Sequence, residues 1–136
     1  MIQLIYGPKG SGKTKRLISM ANAELDQTSG NVVFIDDDKR YMYDVKPQVR
    51  FVNVKEYAID SEDKLFGFIC GLMAGNFDID AFYLDAFMHI TKAGVEELEE
   101  FVKKIQQLPG ADGMKFVINV SAVPEQAPEY LKQFIV

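Results

Sequence analysis

Cysteine is all but missing from these 136 residues: Cys70 stands alone. One thiol closes no disulfide within the chain. With a single histidine, His89, beside it, no Cys/His zinc cage can be assembled. Tryptophan is absent, and arginine occurs only as Arg16, Arg40 and Arg50, too few to line a face that follows a phosphodiester backbone. The net charge is −5, from 20 acidic and 15 basic residues. That is the opposite of the balance a nucleic-acid-binding domain carries, so nucleic acid is not an expected partner. The longest apolar run, Leu65 to Gly75, falls well short of the roughly 20 residues a membrane span needs, and no membrane insertion is expected. Met1 leads straight into a strand-like segment without a basic leader. The expectation is a soluble, cytoplasmic protein whose length fits one domain, residues 1–136.

What the chain does contain is concentrated near its start. Gly7-Pro8-Lys9-Gly10-Ser11-Gly12-Lys13-Thr14 reads G-x-x-x-x-G-K-T, preceded by the apolar segment Ile2–Tyr6 and followed by a helix-like segment. This is the pattern of a phosphate-binding P-loop. Phosphates are anionic and rich in acceptor oxygens, so a loop that wraps them must aim several backbone N–H groups inward. Gly7, Gly10 and Gly12 allow the backbone conformations this takes, and the helix that follows points its free N–H groups and positive dipole end at the same place. Lys13 is placed to bridge the terminal phosphates, and the Thr14 hydroxyl to ligate Mg²⁺, which prefers hard oxygen donors.

Periodicity and turn residues give the order strand, helix, strand, strand, helix, strand, helix, strand, short helix. The strands are Ile2–Tyr6, Val32–Asp36, Val49–Val54, Ala81–Leu84 and Lys115–Val120. The first helix runs from Lys13 to about Gln27. The second begins near Ser61, a capping residue followed by Glu62 and Asp63. The third spans Thr91 to Leu108, with Glu99–Lys103 and Glu100–Lys104 pairs on its outer face, and a short fourth covers Pro128 to Phe134. Gly67, Gly71 and Gly75 form a smooth stripe on the second helix, expected to pack closely on the sheet or to form a partner groove. Alternation of buried strands with helices implies an α/β three-layer sandwich around a five-stranded, mainly parallel sheet. Ligands of such sheets bind at the carboxyl ends of the strands.

Two acidic positions fall at those ends. Phe82-Tyr83-Leu84-Asp85 is a large apolar run closed by aspartate, a Walker B pattern that would set Asp85 beside Mg²⁺ with Thr14. A hydrolase also needs a carboxylate to orient the attacking water. Ala86 occupies the position directly after Asp85, so that acid must come from elsewhere. Val33-Phe34-Ile35-Asp36-Asp37-Asp38 supplies it by resemblance: the chain is similar to the RecA-like group of P-loop NTPases, in which the catalytic acid closes this strand in a pattern like F-I-D-x-E. The resemblance places Asp38 at that position, with aspartate in place of glutamate and therefore a shorter arm. It also implies a polar sensor at the end of the last core strand, here Asn119 or Ser121.

The resemblance implies a Mg²⁺-dependent ATP-binding protein with slow ATPase activity. Its nucleotide site is Gly7 to Thr14, its catalytic residues are Lys13 and Asp38, and its metal residues are Thr14 and Asp85. A nucleotide-dependent switch acting on a protein partner is one alternative, and a P-loop small-molecule kinase is another, although the arginine-rich lid such kinases carry is missing. ATP is favoured over GTP: Asp85-Ala86-Phe87-Met88 lacks the glycine of D-x-x-G, and Asn119-Val120-Ser121-Ala122 is not N-K-x-D. Arg40 and Arg50 are candidate arginine fingers, with plain surface exposure as the alternative reading.

Overall fold

Why the strands are so apolar is clear from where they sit. In a computed structural model that describes all 136 residues, β1 (Ile2–Gly7), β2 (Asn31–Asp36), β3 (Arg50–Asn53), β4 (Ile79–Leu84) and β5 (Lys115–Ser121) form one sheet in the order β1-β5-β4-β2-β3. Every pairing is parallel. Helices cover both faces, so strands such as Val32–Ile35 have no solvent side to make polar.

The helices are α1 (Lys13–Glu24), α2 (Glu62–Gly75), α3 (Phe87–Thr91), α4 (Val95–Gln106) and α5 (Glu129–Lys132). Alternate strand residues divide the interior in two. Leu4, Val33, Ile35, Phe82 and Ile118 pack with Leu65 and Ile69 of α2, Phe87 of α3 and Leu98, Phe101 and Ile105 of α4. Ile5, Val32, Phe34, Tyr83 and Val117 point the other way, against Leu17, Ile18 and Ala21 of α1 and against Val45 and Val49. The result is the expected three-layer α/β sandwich. The C-terminal residues close the outer edge of β1: Leu4 N donates to Phe134 O at 2.8 Å, and Val136 N to Leu4 O at 3.0 Å. No helix is long and apolar enough to cross a membrane.

Several local expectations need correction. The helix expected over Thr91–Leu108 is two helices. Lys92 adopts a left-handed conformation (φ 55°), and Gly94 restarts the chain as the N-cap of α4, its N–H donating to Glu97 Oε2 at 2.9 Å. The run Lys92-Ala93-Gly94 carries this break, and the strong apolar stripe beyond it obscures it. The glycine stripe of α2 is not packed on the sheet. Gly67, Gly71 and Gly75 face outward, and a Cβ at any of them would meet nothing within 4 Å. Of the two ion pairs expected along α4, only Glu99–Lys103 forms, at 3.0 Å; Lys104 instead reaches across to Glu62 at the start of α2, at 2.7 Å. Ser61 caps α2 as expected, its hydroxyl accepting from Lys64 N at 3.2 Å.

Candidate functional site

The carboxyl ends of the parallel strands gather the chemistry. The loop between β1 and α1 turns through Gly10 and Gly12, both at φ 84°, a region that only glycine enters without strain. Gly12 is also the N-cap of α1, with no side chain to cap the helix and no acidic residue in its first turn. Within the loop only Ser11 N finds a protein acceptor, Pro8 O at 3.3 Å, and the first helical N–H to be satisfied is that of Arg16, by Gly12 O at 3.2 Å. The N–H groups of Lys9, Gly10, Gly12, Lys13, Thr14 and Lys15 donate to nothing in the protein. A helix start normally recruits a side-chain oxygen to these donors; this one leaves them free at the positive end of the helix dipole. A Cβ at Gly7 would fall 2.7 Å from Ser11 Oγ, so a larger residue there would have to turn the Ser11 hydroxyl away. Beside the loop lies a cavity of about 520 Å³, bounded by Gly7, Gly12, Lys13 and Arg16 on one side and Val123 and Pro124 on the other.

Lys13 lies over the loop, its Nζ donating to Pro8 O at 3.0 Å. Partial burial lowers its pKa, and the Asp85 carboxylate opposes that fall. Thr14 Oγ1 donates to Asp85 Oδ2 at 3.1 Å. The other Asp85 oxygen accepts from Asn119 Nδ2 and from Ala86 N, both at 3.0 Å. β5 runs between β1 and β4, which is why Asn119 reaches Asp85 from its side. Thr14, Asp85 and Asn119, all singled out from the sequence, therefore meet. Ser121 does not join them: it is exposed at the end of β5, in register with Gly7.

The acidic end of β2 distributes its three aspartates differently from the sequence expectation. Asp38 is partly exposed; its Oδ1 accepts from Arg40 N at 2.8 Å, and its Oδ2 lies 3.6 Å from the Arg40 guanidinium. Arg40 thus pairs at the surface, while Arg50 is exposed at the start of the edge strand β3. Asp36, which sequence reasoning passed over, is buried. Asp85 N donates to Ile35 O at 2.9 Å, which brings the ends of β2 and β4 side by side and the two carboxylates with them. Burial first, and then the Asp85 charge, push the Asp36 pKa up to about 8. Asp37 is also buried, and its carboxylate accepts from His89 Nδ1 on α3. The signal for Asp36 was present in the sequence, as an aspartate closing a fully buried strand, but strand order alone reveals that β4 is its neighbour.

Two buried oxygens here have no hydrogen-bond partner, Asp36 Oδ2 and Asn119 Oδ1. Both flank Asp85, and unpaired acceptors of this kind mark a place where a donor or a cation belongs. Free backbone N–H donors, a hydroxyl–carboxylate pair and these orphan acceptors thus lie together at one end of the sheet. No protein-family model and no curated protein matches the chain.

Proposed function

We propose that this protein binds ATP with Mg²⁺ through the Gly7–Thr14 loop and hydrolyses it slowly, as a P-loop NTPase of RecA-like type. One observation carries the reading: six backbone N–H groups of the loop and of an uncapped, acid-free helix start have no protein acceptor, next to a lysine. A polyphosphate is rich in the acceptors that such donors lack.

In this reading Lys9, Gly10, Gly12 and Lys13 hold phosphate oxygens by their N–H groups. The Lys13 ammonium, within reach of the loop, neutralises the terminal phosphates. Thr14 and Asp85 hold Mg²⁺, which supplies charge neutralisation between phosphates. Asn119 fixes the Asp85 carboxylate through one oxygen and leaves the other to Thr14. That commitment also takes Asn119 away from reading a base, which supports ATP over GTP. Asp38 is the acid proposed to orient the attacking water and take its proton. The side chain is one methylene shorter than glutamate, which favours slow turnover. Asp36, protonated at neutral pH by its burial, is not an available base there.

The partner-switch alternative uses the same site without turnover. Thermal shift with ATP, GTP and ADP, each with and without Mg²⁺, together with phosphate release, separates the readings. Saturating ATP at 100 times Kd stabilises by about 2.7 kcal/mol. Stabilisation with measurable phosphate release supports the hydrolase. Stabilisation without it supports the switch, and no shift with any nucleotide contradicts both.

A further inference from the structure

A second cavity lies at the amino ends of the strands, across the sheet's length from the loop. Its volume is about 610 Å³, and its walls come from Cys70, Met73 and Ala74 of α2, from Ile79 at the start of β4, and from Leu108 and Met114 between α4 and β5. That is the size and the lining of a site for one small molecule. Phe77, in the turn between α2 and β4, also borders it and is 93% exposed, a large aromatic ring left in water at the mouth.

The electrostatics of this end are one-sided. No lysine, arginine or histidine lines the cavity, and its one charged wall residue is Asp80. Asp80 Oδ2 accepts from the Thr28 hydroxyl and, at 3.1 Å, from Gly30 N, which anchors the side chain; Oδ1 accepts from nothing in the protein. Asp78 and Asp112, both exposed, adjoin wall residues along the chain. None of these three aspartates enters an ion pair. Two helices end here, α2 at Gly75 and α4 at Gln106, so the negative ends of two dipoles meet at this edge. α2 has no basic residue in its last turn, and Lys103 and Lys104 of α4 are engaged by Glu99 and Glu62. The cations beside Met114 are engaged as well: Lys115 pairs with Glu24 at 2.9 Å, and the Met1 ammonium donates to Met114 O at 2.6 Å.

We infer that this cavity binds a small organic cation, with an apolar or aromatic body against the α2 wall and an ammonium group at Asp80 Oδ1. The apolar wall takes the body out of water. The anchored carboxylate and the helix ends supply the attraction, and the Phe77 ring offers a face that a cation favours. An anion of the same shape meets like charge and is rejected. The site uses no residue of the nucleotide loop and does not rest on that reading.

Three ligands that share one body test this: naphthylethylamine, naphthylethanol and naphthylacetate, titrated into the full chain carrying methyl-labelled methionine. The methyl resonances of Met73 and Met114, which line the cavity, are expected to move saturably, while those of Met20 on α1 and Met88 on α3 stay in place. The amine binds with a Kd below about 1 mM and at least about tenfold more tightly than the acetate. Asp80→Asn keeps an oxygen for Thr28 and Gly30, retains the parent's circular dichroism, and brings the amine to within about twofold of the alcohol. Ala74→Phe, at an exposed wall position, fills the cavity and weakens the amine at least about tenfold. Absence of saturable shifts at Met73 and Met114 overturns the proposal. So does equal binding of amine and acetate, or a preference for the amine that survives in a folded Asp80→Asn chain. Should Asp80→Asn fail to fold, the ligand series on the parent and on Ala74→Phe decides: amine binding unchanged by Ala74→Phe overturns the proposal, and its loss upholds it.

Discussion

Thr14 and Asp85 lie 71 positions apart in the chain, yet the threonine hydroxyl donates to the aspartate carboxylate at 3.1 Å. The contact joins the first turn of α1 to the end of β4 and is the geometric heart of the proposed Mg²⁺ site. Replacing Thr14 by alanine removes the hydroxyl with little other change. ATP affinity measured in excess chelator is expected to stay within about twofold of the parent, while the gain on adding Mg²⁺ is lost. A variant that keeps its full Mg²⁺ response would take Thr14 out of the metal site.

Asp36 makes stability depend on pH. Its carboxyl titrates near 8 in the folded chain and near about 3.9 when unfolded. Between those values the folded state holds a proton that the unfolded state has released, so stability falls as pH rises. The Asp36 contribution is fully present below about pH 4 and gone above about pH 8. Asp36→Asn does not titrate. It is expected to flatten this part of the profile and to exceed the parent at pH 8.5 by about 1–3 kcal/mol, the cost of leaving a buried polar group unpaired. Denaturant melts of both proteins from pH 4 to 9 give the difference directly; parallel profiles would show that Asp36 ionises normally.

The left-handed turn at Gly12 has a cost for any other residue. Nothing lies within 4 Å of a Cβ there, so Gly12→Ala meets no clash and pays only for its backbone conformation, about 1–2 kcal/mol. Chemical denaturation measures it. A neutral effect would mean that the loop rearranges freely.

On the opposite side of the sheet, Phe101 of α4 is buried between Phe66 and Phe87, with ring centroids 6.4 and 5.0 Å away. Phe101→Ala is expected to cost about 3–5 kcal/mol and to lower the melting temperature by well over 5 °C. Lys104→Ala, which breaks the partly exposed pairs to Glu62 and Asp63 and the contact of the ammonium with the Phe66 ring, is expected to cost about 1 kcal/mol.

The apolar runs and turn residues made the five strands legible, because a strand covered on both faces has to be apolar and its ends have to break. The loop was legible for a similar reason, since its glycines and Lys13-Thr14 are local. Two things were not. The break at Lys92 depends on a single left-handed residue inside a segment whose apolar spacing reads as continuous helix. The importance of Asp36 depends on β2 lying beside β4, a non-local fact that no spacing within β2 encodes. Sequence resemblance drew attention to Asp38, two residues on, whereas burial and neighbouring charge single out Asp36.

Calorimetric titration of the parent and of Lys13→Ala with Mg²⁺-ATP tests the central claim most directly. The parent is expected to bind one ATP per chain more tightly than GTP. Lys13→Ala, whose side chain reaches only the loop carbonyl of Pro8, is expected to remain folded and lose at least tenfold in affinity, about 1.4 kcal/mol. Equal affinity in the two proteins, or no binding of ATP to the parent, would contradict the account.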